Sequence, residues 1–321
     1  MSSPLKKLIG HFIPKGKDVL PERIFVAAFG KHPAWDDHID DIGLETDIFI
    51  TAKRILYIQG VGGNVDSGSW DKLRENQPIE EFKHAFVWNM DGGLIAGHMW
   101  SSRDGKGRTS YPMVVCVQCC QLSLEWVLKN ILPMLERIEI SCTAATSPAE
   151  VRLTIENAQK ELRQLTQKCE PSPILPAVCT DVMAKLVEYP EMGGPNHQGL
   201  LRILYHIERE VTHEHLDTSR GKAFRPVLLR VPILPPPVTE SVILWINFLF
   251  AKFGSNTSAL MLMPLKKQWM DIIIGEPTHL QLYCLRASLR VIPLTSSIPY
   301  NLSPEFINRA IQLIEDSRAG E

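Results

Sequence analysis

A polar loop at residues 31–41 holds the densest group of side chains that could do chemistry. Its four carboxylates and two imidazoles belong to Asp36, Asp37, Asp40, Asp41, His32 and His38. Oxygen and nitrogen ligands at this density could bind Mg²⁺, Mn²⁺ or Zn²⁺. The spacing matches neither HExxH nor an EF-hand loop. The simpler interpretation is a solvated acidic loop before a helix, whose positive N-terminal end favours carboxylates.

A second polar loop at residues 100–112 combines cations with glycines. They are Arg103, Lys106, Arg108, Gly105 and Gly107. Such a loop could bind phosphate, but it is not a P-loop, because the Gly-Lys pair is not followed by Ser or Thr at a helix start. The simpler interpretation is a tight turn with glycines at positive φ, in which Asp104 pairs with Arg103 or Arg108.

Other catalytic arrangements are not supported by the sequence. No serine lies in G-x-S-x-G, and no cysteine has a known nucleophile setting. Cys116 and Cys119 form a CxxC inside an apolar run that is typical of a strand, where they would point to opposite faces and could not share a metal. We therefore expect no catalytic residue, no metal and no cofactor.

The elements that would position these loops follow from the apolar pattern. Residues 23–29 predict a strand, residues 44–59 a helix that stops at Gly60, and residues 61–78 a connector. Residues 84–90 and 94–101 predict a hairpin around an Asp-Gly-Gly turn, and residues 111–118 a third antiparallel strand. Two amphipathic helices are predicted at residues 123–140 and 148–168, the second with Ser147 as its N-cap.

The remainder of the chain predicts a second α/β part. Helices are expected at residues 178–188, 198–212, 239–253, 278–288 and 304–317, and strands at residues 227–231, 258–263 and 270–274. The proline-rich residues 171–176 suggest a boundary. We predict an N-terminal domain at residues 1–170 and a C-terminal α/β region at residues 171–321, which could pack with the first as one unit.

Composition sets limits on the class of protein. The 321 residues are 45% hydrophobic and 22% charged, with a net charge of -2 and no basic patch, so we expect a globular protein that does not bind nucleic acid. The N-terminal apolar run is too short for a signal peptide, and the run at residues 242–250 is too short to span a bilayer, so we expect no membrane insertion. Seven cysteines without disulfide spacing favour the cytoplasm.

Together the two loops resemble motifs of the TagF (ImpM) family of type VI secretion accessory proteins. Residues 30–38 are similar to that family's Gly-Lys-x-Pro-x-x-Gly-Asp-Phe motif, and residues 104–113 to its Asp-x-x-Gly-Arg-x-Phe/Tyr-Pro-Leu motif. Asp36 stands where the family has Gly, His38 where it has an aromatic residue, and one extra residue follows Arg108. The resemblance covers residues 24–116 and is loose beyond them.

This resemblance implies a longin-like fold, an antiparallel sheet flanked by helices. It also implies a non-enzymatic regulator that represses secretion-system assembly by binding a forkhead-associated scaffold protein. Asp37 and Arg108 are expected to pair across a motif surface. Its residues are Lys31, Pro33, Trp35, Asp36, Asp37, Arg103, Asp104, Gly107, Arg108 and Tyr111.

Two other functions remain open from the sequence. A metal-dependent hydrolase or phosphate-binding enzyme would use the residues 36–41 loop, with Arg103 and Arg108 as anion clamps, and would need both loops to meet in a deep pocket. A GTPase-binding module would instead expose an apolar sheet edge or helix face.

Overall fold

A seven-stranded antiparallel sheet forms the centre of the protein. The computed structural model describes residues 22–90, 93–174, 182–189, 192, 197–211, 225–233 and 238–319. The strands run in the order β1-β4-β3-β2-β6-β7-β5. Their bounds are β1 (Ile24–Gly30), β2 (Lys83–Met90), β3 (Gly93–Trp100), β4 (Met113–Cys119), β5 (Val227–Pro232), β6 (Ala259–Pro264) and β7 (Trp269–Ile274).

Both faces of the sheet are buried. Val26 and Ala28 of β1 belong to one hydrophobic core, and Ala27 and Phe29 to the other, because successive strand side chains point to opposite faces. Burial on both faces explains why the strands are continuous apolar runs rather than alternating ones. The two cysteines of the CxxC likewise fall in different cores, which confirms that they do not point together.

Helices cover the face of the sheet that carries Val26 and Ala28, which we call the first face, and supply most of its core. Ser123 and Ser147 cap α4 and α5 by accepting backbone N–H groups through their side chains, which confirms the N-cap predicted at Ser147. The apolar run at residues 242–250, for which a helix was predicted, lies in α8 and is mostly buried. These helices are α4 (Leu124–Ala144), α5 (Pro148–Thr166), α6 (Val182–Glu188), α7 (Gln198–Val211), α8 (Val238–Phe253) and α10 (Pro304–Ala319).

The helical layer on the second face differs from the prediction. The first helix does not stop at Gly60, because a π-helical segment (Lys53–Gly62) continues directly from α1 into α2, and α3 follows. Gly60 is helical here, and its missing side chain makes room for Leu282 of α9, since a Cβ at Gly60 would lie 2.2 Å from Leu282 Cδ1. The helices are α1 (Asp47–Ala52), α2 (Gly63–Asp66), α3 (Ser69–Asn76) and α9 (His279–Leu282).

The prediction of a connector at residues 61–78 was therefore wrong, as was a helix through residues 278–288. After α9 the chain turns into a 3₁₀ helix (Tyr283–Arg286). Two of the predictions fall outside the described residues: the hairpin turn at residues 91 and 92, and the N-terminal apolar run that is too short for a signal peptide.

The mixed α/β fold class with an antiparallel sheet and surrounding helices is confirmed. Strand β2 pairs with β3 on one side and with β6 on the other, so the two predicted parts of the chain contribute to one sheet. Separate folding of residues 1–170 and 171–321 stays a prediction. Among the described helices, none is long and apolar enough to cross a membrane.

Candidate functional site

The first polar loop begins where β1 ends and folds back along that strand. The backbone N–H of Ile39 donates to the carbonyl of Gly30 over 2.8 Å, and Ala28 forms a bridge with Ile42. Gly30 has a φ of +116°, and a Cβ there would lie 2.3 Å from the carbonyl oxygen of Pro112. A glycine at this position therefore lets the two loops approach closely.

A buried histidine anchors the same loop to a helix. The N–H of Ala34 donates to Nδ1 of His32, so the other ring nitrogen, Nε2, donates to the carbonyl of Cys142 in α4 over 2.8 Å. This imidazole is 2% exposed. Because both of its nitrogens are used internally, His32 has a structural role in positioning the loop.

The second loop is built around the side chain of Asp104. Its Oδ1 accepts the backbone N–H groups of Lys106 and Arg108 over 3.0 and 2.9 Å. Gly107 between them has a φ of +80°, as predicted for a tight turn, whereas Gly105, for which a positive φ was also predicted, does not have one. The N–H of Gly105 donates to the carbonyl of Trp35 over 2.6 Å, which ties the second loop to the first.

Four charged side chains from the two loops form one ion network. Asp104 Oδ2 lies 2.5 Å from the ammonium of Lys31 and 2.7 Å from Nε of Arg108. The NH2 group of Arg108 then reaches Asp37 Oδ1 over 3.1 Å. The pairing of Asp37 with Arg108, and of Asp104 with Arg108 rather than Arg103, is thus present in the structure.

The two carboxylates of this network are held in their charged forms. Burial raises the pKa of Asp104, but the hydrogen bonds from Lys31 and Arg108 outweigh it and bring the pKa well below its usual range. For Asp37, desolvation is likewise outweighed by Arg108, His38 and Lys31, so that its pKa is also lowered. The network therefore consists of two anions and two cations at neutral pH.

Three aromatic rings close one side of the network. His38 packs edge to face against Tyr57 and Tyr111, with centroid distances of 5.7 and 5.1 Å. Tyr57 donates to the carbonyl of Pro112 over 3.2 Å, and burial raises the pKa of its hydroxyl. Tyr57 belongs to the π-helical segment. Sequence reasoning missed it, since nothing local separates it from the apolar residues of that helix.

The other predicted site residues lie at the rim. Trp35 is partly buried, packs edge to face against His32, and directs its Nε1–H toward Asp40 Oδ2 over 3.4 Å. Pro33 and Asp36 are exposed. Arg103 is also exposed, and its side chain has no hydrogen bond or ion pair with the part of the chain that the structure describes.

The carboxylates of the first loop diverge instead of meeting. Asp37 faces Arg108, whereas Asp40 pairs with Arg152 over 2.8 Å and Asp41 with Lys53 over 2.5 Å. Within the described ranges, no three His, Cys, Asp or Glu side chains are grouped so that they could share a metal ion. Three of the loop's four acids are thus directed toward three different cations.

The backbone N–H donors of the second loop are likewise used within the loop itself. A phosphate cradle needs free backbone N–H groups that converge on the ligand. In this loop the N–H groups of Lys106 and Arg108 already converge on Asp104, which occupies the position that an anion would take. Any anion would have to approach from the outer side, where Arg108 is half exposed.

Comparison of the chain with protein-family models and with curated proteins finds no match.

Proposed function

We propose that this protein is a non-enzymatic regulatory protein of the TagF-like kind, with a longin-like fold, that acts in the cytoplasm by binding a partner protein. Its partner would be a component of type VI secretion, such as a forkhead-associated scaffold, and binding would repress assembly. The resemblance of the two loop motifs suggests this family. The order of strand, helix and three-stranded meander is compatible with the proposed fold.

One observation supports the binding surface above all others. Loops 73 residues apart in the chain meet at the buried pair of Lys31 and Asp104, which brings the two motifs side by side. The ion network fixes the backbone of both loops. It leaves Arg103 and Lys106 exposed, without an ion pair to any described residue. Unpaired cations on a fixed loop are suited to recognise a partner surface of opposite charge.

The test is an affinity capture from the native lysate with three baits. The Arg103→Ala, Lys106→Ala variant removes the two unpaired cations without removing a described contact, so it should fold normally. The control variant is Lys129→Ala, Lys160→Ala, which removes two exposed lysines from α4 and α5 and changes the net charge equally. Circular dichroism checks that all three baits have the same helix content and melting temperature.

The wild type and the control should recover secretion-system proteins, and the Arg103, Lys106 variant should lose them. Equal recovery by all three baits would show that this surface is not the binding site. If the wild type recovers no secretion-system protein from cells that express the system, the proposed function is wrong.

A further inference from the structure

The ammonium group of Lys31 is buried but incompletely hydrogen-bonded. Its side chain is 4% exposed, and an ammonium has three N–H groups to donate. Among the described residues, only Asp104 Oδ2 lies within hydrogen-bonding distance, at 2.5 Å. Asp37 Oδ1 is 3.7 Å away, which is an ion pair but too long for a hydrogen bond. The ammonium of Lys31 can therefore donate a hydrogen bond to a further oxygen atom.

Asp37 occupies the outer side of this cation and is held weakly. Its side chain is 63% exposed, and the same oxygen, Oδ1, makes its contacts with Lys31, Arg108 and His38. Exposed ion pairs contribute little to stability because water and salt screen them. Asp104 differs, since it is fully buried and accepts from four donors. Of the two carboxylates, only Asp37 can leave without exposing the interior of the site.

The surroundings favour another anion in its place. Lys31 and Arg108 balance Asp37 and Asp104 in charge, so the departure of Asp37 leaves one uncompensated positive charge. Arg103 and Lys106 add two more on the same loop, against the exposed carboxylate of Asp36. Arginine offers several donors in a plane, which suits a carboxylate or a phosphate.

We propose that Lys31 and Arg108 form an anion-binding site that Asp37 fills in the free protein, and that a carboxylate or phosphate group of the partner displaces Asp37. This inference rests on the proposed protein-binding function and specifies the chemistry of the contact. Asp37 acts as an internal competitor and occupies the site until an anion of higher affinity displaces it.

The test uses small anions and does not require the partner. Inorganic phosphate and acetate are titrated separately into the ¹⁵N-labelled full chain at constant ionic strength, with chloride as the balancing anion. The amide signals of residues 105–110 report binding. Saturable shifts are expected with at least one of the two anions, and the tighter one identifies the group that the site recognises.

The variant that tests displacement most directly is Asp37→Asn. Removing the competitor should tighten anion binding, by roughly threefold or more, given the small free energy of an exposed ion pair. The matched control is Asp41→Asn, which removes another carboxylate of the same loop that pairs with Lys53 and not with Lys31. That variant should bind the anion as the wild type does. Arg108→Gln should weaken binding.

Three results of the anion titration would overturn the inference. They are the absence of saturable shifts in both the wild type and Asp37→Asn, weaker binding by Asp37→Asn, and equal tightening by Asp41→Asn, which would indicate a general charge effect. The anion titration and the affinity capture can fail separately. Anion binding without partner recovery would reject the proposed function and keep the site. Partner recovery that is insensitive to phosphate and acetate would reject the site and keep the function.

Discussion

The ammonium of Lys31 lies 2.5 Å from the carboxylate of Asp104, and both side chains are almost completely buried. Lys31 follows β1, whereas Asp104 follows β3, and the two strands are separated in the sheet by β4. The pair thus connects the ends of two strands that are not neighbours. Its burial gives the two carboxylates of the site different roles, because Asp104 stabilises the loops and Asp37 remains at the surface.

The first prediction separates these two roles. Asp104→Ala leaves the buried ammonium of Lys31 without its hydrogen-bonded partner and releases two backbone N–H groups, so we expect the melting temperature to fall by on the order of 5 °C or more. Asp37→Ala removes a carboxylate that is 63% exposed and should change the melting temperature by no more than about 2 °C. Differential scanning calorimetry measures the melting temperatures of both variants and of the wild type. Equal losses would contradict the distinction.

The second prediction concerns the glycines of the π-helical segment. A Cβ at Gly60 would lie 2.2 Å from Leu282 Cδ1 and 2.9 Å from the carbonyl oxygen of Ile55, so Gly60→Ala should lower the free energy of unfolding by about 1–3 kcal/mol. Gly62→Ala is the matched control, because its nearest neighbour, the hydroxyl of Tyr111, would be 3.5 Å away.

Gly62→Ala should leave the free energy of unfolding unchanged or raise it by up to about 1 kcal/mol, since alanine restricts the unfolded chain. Urea denaturation measures both variants. A destabilised Gly62→Ala beside an unaffected Gly60→Ala would show that the packing of α9 against this segment is not as described.

The third prediction concerns a charge pair inside the sheet. Arg230 of β5 and Asp271 of β7 form two hydrogen bonds of 2.7 Å, and both side chains are 1% exposed. Asp271→Ala leaves the guanidinium buried without its counter-ion and should cost about 3–5 kcal/mol of unfolding free energy. The double variant Arg230→Met, Asp271→Leu should cost clearly less than the two single variants summed. A double-mutant cycle by urea unfolding that gives strict additivity would contradict this coupling.

The fourth prediction is a pH dependence that arises from His84. Burial, together with the nearby charge of Arg230, lowers its pKa from 6.5 to about 3, and its Nδ1 accepts the N–H of Lys83. Between these two pKa values the unfolded chain binds a proton that the folded protein does not. Stability is therefore complete above pH 6.5 and decreases as the pH falls below it, with a limiting slope of about 1.4 kcal/mol per pH unit.

His84→Asn keeps an acceptor for the N–H of Lys83 but does not titrate. Its unfolding free energy should fall less than that of the wild type between pH 7.5 and pH 5, as measured by urea denaturation at several pH values. Identical pH profiles of the unfolding free energy would mean that folding does not lower the pKa of His84.

The strands were predictable because each is a short apolar run bounded by turn residues. The helix boundary at Gly60 was not, since the reason for that glycine is Leu282, more than two hundred residues further on. Glycine as a stop signal is a local rule, and close packing against a distant helix overrides it. The same limit applies to Tyr57, whose place at the site depends on contacts with His38 and Tyr111.

Residue order alone predicted the mixed α/β class, the strands, the cap at Ser147 and the two polar loops, because these follow from apolar spacing and residue type over short distances. The pairing of charges depends on the tertiary structure, apart from the Asp37–Arg108 pair that the resemblance implied. Three of the four acids in residues 36–41 pair with three different cations, which are Arg108, Arg152 and Lys53, and the side chain of Asp104 fills the turn of the second loop. Ion pairing depends on a few ångströms of separation, and the order of strands in the sheet sets that separation.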